Sequence, residues 1–169
     1  MTVDSFRFLP RLIALFYRNT EIEPNEGIPW TPLKRPLSAC KFGLLTSAGL
    51  YHIGRQPAFD IQREREHPTW GDPTFRVIPT TIDQHEIGVS HLHYNPAAVL
   101  QDINVLLPIH RMQEMVNEGT IGALAHHHYA FMGYQGFPPD TTAWQQTYGP
   151  QAASRLLAEG VDCVLLTPT

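Results

Sequence analysis

The run KFGLLTSAG at residues 41–49 decides the fold class, because a short apolar segment leads directly into small residues. Such a run is typical of a buried strand that ends in a functional loop. Runs of similar character recur at residues 75–79 (FRVIP), 87–94 (IGVSHLHY), 121–125 (IGALA) and 161–166 (VDCVLL). The alternation in IGVSHLHY predicts that His91 and His93 lie on one face of a strand.

Segments with a helical pattern separate these strands. Residues 96–106 predict a weak helix, and residues 108–118 predict one that begins at a proline and stops before a glycine. Residues 140–159 predict a third, broken or kinked at Gly149-Pro150. Strands that alternate with such helices predict an α/β sandwich with a mostly parallel, Rossmann-like sheet. We therefore expect functional residues at the carboxyl ends of the strands.

The chain divides into three parts by composition. Residues 1–20 predict a helix, capped by Ser5, that docks against a partner subunit, and residues 21–40 form a Pro-rich extended connector. Residues 41–169 predict a single α/β domain. No segment follows the last strand to cover it, so we expect the sheet to be incomplete at its C-terminal end and to associate with another chain.

The composition excludes several classes of function. Twelve Lys and Arg against 16 Asp and Glu give a formal charge of −4, which offers no field for nucleic acid or an anionic membrane. No GxSxG, GK[ST] or GxGxxG motif occurs, which argues against serine hydrolases, NTPases and dinucleotide enzymes. Cys40 and Cys163 form no CxxC pair, and the apolar run at 12–17 is too short for a signal peptide or membrane span. We therefore expect a cytoplasmic protein.

Histidines give the strongest chemical signal. His91 and His93 form one HxH motif, and His126 and His128 form a second within a run of three histidines. Four imidazoles at neighbouring strand ends suit zinc, copper or iron. Because HxH is a common motif, we favour a metal-free pocket in which imidazoles bond the substrate and move protons. A third interpretation leaves His126 and His127 facing solvent.

Tyrosines directly follow two of these histidines. Each His-Tyr pair combines a group that titrates near neutrality with a phenol that can donate to a developing anion. The predicted catalytic set is therefore His91, His93, His128, Tyr94 and Tyr129. The two tyrosines fit a strand core equally well.

Four further residues are candidate substrate-binding residues: Ser47, Asp72, Arg76 and Thr167. Ser47 and Thr167 lie where predicted strands end. The spacing of Asp72 and Arg76 predicts a local ion pair that either clamps its loop or grips a substrate carboxylate. We favour the clamp, because most loop ion pairs are structural and modest in energy.

An ordered set of motifs resembles a known family. They are IPWTPLKRPLS (28–38), TSAG (46–49), GDPTFRVIP (71–79), SHLHY (90–94), DIN (102–104) with a following P-x-x-R (108–111), GTIGAL (119–124), HYAFMG (128–133) and VDCVLLTPT (161–169). Together they resemble the selenoprotein B family of the glycine, sarcosine, betaine and D-proline reductases. The resemblance covers most of residues 28–169. His126 and His127 are additional to the single histidine that the family has at 128.

The resemblance implies an oxidoreductase subunit that reductively cleaves a C–N bond in an amino-acid-like substrate. In that family a selenocysteine or cysteine of a U/C-x-x-C motif attacks the substrate carbon, and a pyruvoyl-bearing partner subunit holds the amine. Selenolate is the better nucleophile at neutral pH because it is already ionised. The motif follows the LLTP-type strand, so the nucleophile is expected just after Thr169. Neither Cys40 nor Cys163 takes its role.

Three explanations account for the missing motif: a UGA codon after Thr169, a trimmed chain, or a short relative with a repurposed pocket. The alternative function is a standalone histidine-rich metal-binding protein or metalloenzyme of the same fold. A purely structural partner subunit is the third hypothesis. Metal content separates the first two. The expected protein partner is either the pyruvoyl-type subunit or a second copy of this chain in a homo-oligomer.

Overall fold

The computed structural model describes residues 10–19 and 31–169 of the chain. Two compact units, residues 1–32 and 33–169, are described separately below. In the first unit, helix α1 (Arg11–Asn19) has Ala14 buried and Leu12 and Leu15 exposed. Ser5, the predicted cap, and residues 21–30 of the connector lie outside the described residues. The docking role of this helix and the three-part division stay predictions.

The second unit contains seven strands, four α-helices and three short 3₁₀ helices within the described residues. The strands are β1 (Lys41–Thr46), β2 (Leu50–His52), β3 (Phe75–Pro79), β4 (Ile87–Val89), β5 (Ala123–Leu124), β6 (His127–Phe131) and β7 (Cys163–Thr167). The helices are α2 (Ile61–Glu66), α3 (Ala97–Gln101), α4 (Ile109–Asn117) and α5 (Gly149–Ala158), and a π-helical turn (Trp144–Tyr148) precedes α5. The break predicted at Gly149-Pro150 is the junction between that turn and α5.

Strand β1 lies at the centre of a five-stranded sheet. β5 and β6 follow each other along one of its edges, and β7 runs along the other, all three parallel to β1. β3 pairs antiparallel with β6, and β2 and β4 form a separate antiparallel pair. The mostly parallel sheet flanked by helices confirms the predicted Rossmann-like α/β fold. The small antiparallel pair was not predicted.

The two faces of the sheet carry separate apolar cores. On one face, Leu44 and Ala130 belong to a buried cluster with Ile109 of α4. On the other face, Tyr129 of β6 packs in a cluster with Leu156 of α5. The consecutive residues Tyr129 and Ala130 belong to different cores because successive side chains of a strand point to opposite faces of the sheet. Each buried aliphatic side chain contributes about 1.5–3 kcal/mol, so the two cores fix the position of β1.

Strand β7 is more exposed than the sequence predicts. Val164, Leu165 and Leu166 are 44%, 38% and 62% exposed. Within the described residues, β7 pairs only with β1, so its outer edge carries no strand. A cavity of about 420 Å³ lies between β7 and α5. The apolar pattern of residues 161–166 is typical of a buried strand, whereas β7 in the described residues is uncovered along its outer edge.

Two strands differ from their predicted extents. β4 ends at Val89; the backbone N–H of Ser90 still donates to the carbonyl of Gly49 at 2.9 Å, and the chain then bends at residues 92–94. His91 and His93 therefore lie in a loop rather than on one strand face. β6 begins at His127, so the run of three histidines lies at its amino end, not at a carboxyl end. In the parts that the structure describes, no helix is long and apolar enough to cross a membrane.

Candidate functional site

The carboxyl ends of β1 and β7 meet at one edge of the sheet. Ser47 Oγ accepts a hydrogen bond from the Thr169 backbone N–H at 2.8 Å. The Thr46 hydroxyl donates to the Thr167 carbonyl at 3.0 Å, and the Thr167 hydroxyl donates to the Leu106 carbonyl at 2.6 Å. The structure thus brings together two of the predicted substrate-binding residues, Ser47 and Thr167. Their hydroxyls fix the backbone that leaves β7.

Gly133 lets His91 approach this edge. A Cβ atom on Gly133 would lie 3.0 Å from the Ser47 carbonyl oxygen, 3.1 Å from that of Thr169 and 3.5 Å from His91 Nε2. The first two distances are shorter than an ordinary van der Waals contact, so a side chain here would push these groups apart. The absence of a Cβ is what permits the backbone ends of β1 and β7 to lie beside the His91 ring.

His91 presents an unused hydrogen-bond donor at this edge. Its Nδ1 accepts from the His93 backbone N–H at 3.1 Å, which assigns the proton of the neutral ring to Nε2. Nε2 is buried and has no partner among the described residues. Burial, and secondarily the neighbouring His93, lowers the pKa of His91 to about 4. His91 is therefore neutral at physiological pH, with Nε2–H available to an acceptor.

Tyr94 supports the His91 ring. The two ring centroids lie 4.5 Å apart, and the Tyr94 hydroxyl donates to the Ala48 carbonyl at 2.8 Å. Burial raises the pKa of Tyr94 to about 12, so the phenol stays protonated. Tyr94 thus ties the histidine loop to the end of β1. Its predicted catalytic role stays a prediction.

His93 lies next to His91, with ring centroids 5.7 Å apart, and pairs with a carboxylate. Its Nε2 lies 2.8 Å from Glu64 Oε1. The Glu64 side chain is 3% exposed and the His93 side chain 50% exposed. The His93 ring also stacks on Tyr134, with centroids 4.5 Å apart and planes 29° apart. Sequence reasoning missed Glu64, because its segment IQRERE has the pattern of a solvated surface helix.

A cavity of about 260 Å³ opens beside these groups. Its lining is mostly apolar and includes Leu45, Ser47, Gly133, Trp144, Leu166 and Thr167. Trp144 begins the π-helical turn before α5, and its buried indole Nε1–H has no partner among the described residues. Single π-helical turns occur frequently at functional sites. The cavity is large enough for a small organic substrate beside Ser47.

The structure separates His128 from the other predicted catalytic residues. Its side chain is fully buried, Nδ1 accepts from the Leu44 backbone N–H at 3.1 Å, and Nε2 lies 3.1 Å from the Thr80 hydroxyl oxygen. Burial, the first cause, lowers the pKa of His128 to about 4 against an opposing effect of Glu159. Both ring nitrogens are thus engaged inside the protein. The catalytic role of His128 stays a prediction.

The described structure does not bring the four predicted metal ligands, His91, His93, His126 and His128, together in one group. The backbone N–H of His126 donates to Glu159 Oε2 at 2.6 Å, and His127 Nδ1 lies 2.6 Å from Glu159 Oε1. Across residues 10–19 and 31–169, no three His, Cys, Asp or Glu side chains are grouped so that they could hold a metal ion. The physical reason is that the second HxH motif lies at the amino end of β6, where His128 faces the core.

Asp72 and Arg76 form the predicted ion pair, with Nη2 3.5 Å from Oδ2. The guanidinium also donates to the carbonyls of Pro57 and Ala58 and to the Thr74 hydroxyl. These contacts tie the loop before α2 to β3, as expected for a structural clamp. Their predicted role in substrate binding stays a prediction.

Tyr129 points into the core near α5. It is 1% exposed and packs edge-to-face on Phe75, with centroids 5.3 Å apart. Burial first, and Glu159 second, raise the pKa of Tyr129. The structure therefore groups His91, His93, Tyr94, Ser47 and Thr167 around the ends of β1 and β7, and places Tyr129 elsewhere.

Comparisons with known proteins agree with this arrangement of motifs. The family model for glycine/sarcosine/betaine reductase selenoprotein B matches residues 15–169. The D-proline reductase subunit gamma of Acetoanaerobium sticklandii is 37% identical over 138 residues, which cover 82% of this chain and 52% of that protein. The glycine reductase complex component B subunit gamma of Carboxydothermus hydrogenoformans is 29% identical over 144 residues, or 85% of this chain and 31% of that protein.

The chain thus spans about half the length of the first of these relatives and about a third of the second. The search of solved structures gave no match. Because the family model covers nearly the whole chain and the first relative exceeds 30% identity, the resemblance seen in the motifs is confirmed. The chain belongs to the glycine/sarcosine/betaine reductase selenoprotein B family.

Proposed function

We propose that this chain is part of an oxidoreductase subunit that reductively cleaves a C–N bond of an amino-acid-like substrate within a reductase complex. Support comes from the family membership and from relatives named as subunits of D-proline and glycine reductases. The observation that carries the proposal is the meeting of His91, Ser47 and Thr169 beside a mostly apolar cavity of about 260 Å³. Ligands of parallel sheets bind at such strand ends.

The proposed nucleophile is a selenocysteine or cysteine that follows Thr169 in the complete protein. Ser47 and Thr167 would hold the backbone on which it is mounted. In the net reaction, a selenol–thiol or dithiol pair gives two electrons and two protons to the substrate. The C–N bond is replaced by a C–H and an N–H bond, and the pair becomes a selenenyl sulfide or disulfide. A pyruvoyl-bearing partner subunit is the proposed holder of the amine.

His91 has a defined part in this scheme. Its Nε2–H is a neutral, buried donor, and a hydrogen bond to an anion favours the anionic form. It would stabilise the selenolate or thiolate before attack without adding a positive charge. Tyr94 would keep the ring in place through its packing on His91.

The first test is the gene sequence beyond the Thr169 codon. We expect a UGA or cysteine codon followed three codons later by a cysteine codon, in an open frame. A UAA or UAG codon, or an open frame without such a pair, would refute the proposed nucleophile.

The second test is the activity of the complete subunit, combined with its partner. We expect reductive C–N cleavage of D-proline, glycine, sarcosine or betaine. For His91→Ala we expect kcat to fall about 100-fold. The exposed His85 is the matched control, and His85→Ala should retain full activity. Full activity of the His91 variant would refute its role as the donor.

A further inference from the structure

We propose that Glu64 is a positioning residue that orients His93 as the proton-exchanging group of this site. The inference rests on the proposed function for its chemistry, and on the Glu64–His93 contact for its geometry. Glu64 is nearly fully buried, whereas His93 is half-exposed beside the site. In enzymes, a buried carboxylate commonly orients a catalytic histidine that lies closer to the surface of the site.

The burial of Glu64 points to more than a surface ion pair. Removing a carboxylate from water costs several kcal/mol unless a partner with good geometry compensates. The partner here is His93, at 2.8 Å, whereas the neighbouring Glu66 on the same helix is exposed and accepts from Gln62. Helix α2 thus presents one of its glutamates to the histidine loop and another to solvent.

Three contacts fix the orientation of the His93 ring. Nε2 is directed at Glu64, the ring face stacks on Tyr134, and the backbone N–H donates to His91 Nδ1. Because a carboxylate only accepts, Nε2 carries the proton and the lone pair of the neutral ring lies on Nδ1. In the proposed reaction Nδ1 is the atom at which the ring would exchange a proton, with Glu64 held at Nε2.

In this geometry the two histidines would have different roles. His91 is neutral and offers a fixed N–H, while His93 is placed to exchange a proton. When the C–N bond breaks, the nitrogen keeps the electron pair of that bond and needs a proton. The Nδ1–H of the His93 imidazolium would supply it, leaving a neutral ring that solvent reprotonates.

The test uses two substitutions at Glu64 and one control. Glu64→Gln retains an acceptor but removes the charge, and Glu64→Met removes both at similar volume. Replacing a buried ion-pair carboxylate by an apolar side chain while His93 stays half-exposed should permit folding. Glu66→Gln, on the same helix, is the matched control.

The structural readout is the ¹⁵N NMR spectrum of the His93 imidazole in the full 169-residue chain, assigned with His93→Gln. We expect the Nε2–H tautomer in the unsubstituted chain and the Glu66 variant, and a tautomer mixture in Glu64→Met. An unchanged His93 spectrum in Glu64→Met overturns the proposal. If Glu64→Met does not fold, Glu64→Gln provides the test. The ¹⁵N chemical shifts of His93 must change in that variant if the charge of Glu64 acts on the ring, and unchanged shifts overturn the proposal.

The functional readout is the kinetics of the complete subunit with its partner. For Glu64→Met we expect kcat to fall about 10- to 100-fold with KM unchanged, and for Glu64→Gln a smaller fall. If Glu64→Met changes only KM, the positioning role is overturned. It is also overturned if kcat is unchanged in Glu64→Met but falls in His93→Ala. If the unsubstituted complex cleaves no C–N bond, the proposed function fails, and the NMR result still decides whether Glu64 orients His93.

Discussion

Acidification should destabilise the protein because His128 is buried in its neutral form. Its Nδ1 accepts from Leu44 and its Nε2–H is directed at the Thr80 hydroxyl, whose own proton goes to the Ala125 carbonyl. A second proton on the ring would break the contact with Leu44 and leave a charge in the core. Burial accordingly lowers the pKa of His128 from 6.5 to about 4.

The sign and size of the effect follow from linkage. The folded-state pKa is depressed, so the contribution of His128 is complete above pH 6.5 and is lost as the pH falls from 6.5 to about 4. The unfolded chain takes up the proton first, which favours unfolding. Each unit of pKa difference corresponds to about 1.4 kcal/mol, so the full loss is about 3 kcal/mol and the loss at about pH 5 is about 2 kcal/mol.

Urea denaturation at about pH 7.5 and about pH 5 measures this loss in the chain and in His128→Gln. We expect His128→Gln to be less stable at the higher pH, because it loses the contacts of His128 with Leu44 and Thr80. On acidification, its free energy of unfolding should fall by about 2 kcal/mol less than that of the unsubstituted chain. His85→Gln removes an exposed histidine and should show the same pH dependence as the unsubstituted chain. Equal pH dependence in the chain and in His128→Gln would refute the reasoning, as would an imidazolium ¹⁵N signal of His128 at about pH 5.

Two further changes test the fold. Gly49→Ala should destabilise by more than about 3 kcal/mol, because φ is +65° and the new Cβ would lie 2.2 Å from the Ser90 carbonyl oxygen. Gly54→Ala has a similar φ of +73° in open space, so it should cost only about 1 kcal/mol, and equal urea midpoints for both would contradict the steric argument. Glu159→Gln weakens the contacts to the start of β6, including the one to His127, and should cost about 1 kcal/mol in urea denaturation. No change in midpoint would show that these contacts contribute nothing at the surface.

The sequence predicted the fold class well because burial on two faces leaves a plain signal. The apolar run at 41–47 is β1, and the helix predicted at 108–118 is α4, which ends before Gly119. β7 shows the limit of such patterns: an apolar run predicts a strand, but its burial depends on what packs against it. The pattern of residues 161–166 carries no information on that neighbour.

The candidate site was predictable in part. The alternation in SHLHY predicted that His91 and His93 lie on one strand face, which is wrong because β4 ends at Val89. The two rings still lie 5.7 Å apart, because the loop after β4 brings them together. The same HxH spacing at 126 and 128 does not place those histidines beside His91 and His93, because β6 begins at His127 and carries the motif at its amino end. The sequence pattern around Glu64 does not indicate a buried residue, because Glu64 is buried only when α2 packs against the loop that carries His91 and His93.

The surroundings of each histidine, rather than its spacing, determine its chemistry. His91 has a buried Nε2 without a partner, and desolvation keeps it neutral at physiological pH. A group in that state can stabilise an anion only through its N–H dipole, so it cannot supply the proton that the departing amine requires. His93 is half-exposed and faces a buried carboxylate, which is the environment that the proposed proton transfer requires. The proposed C–N cleavage needs both an anion-stabilising N–H and a proton donor. Two adjacent histidines in unlike environments would provide both, whereas two histidines in the same environment would provide only one of them.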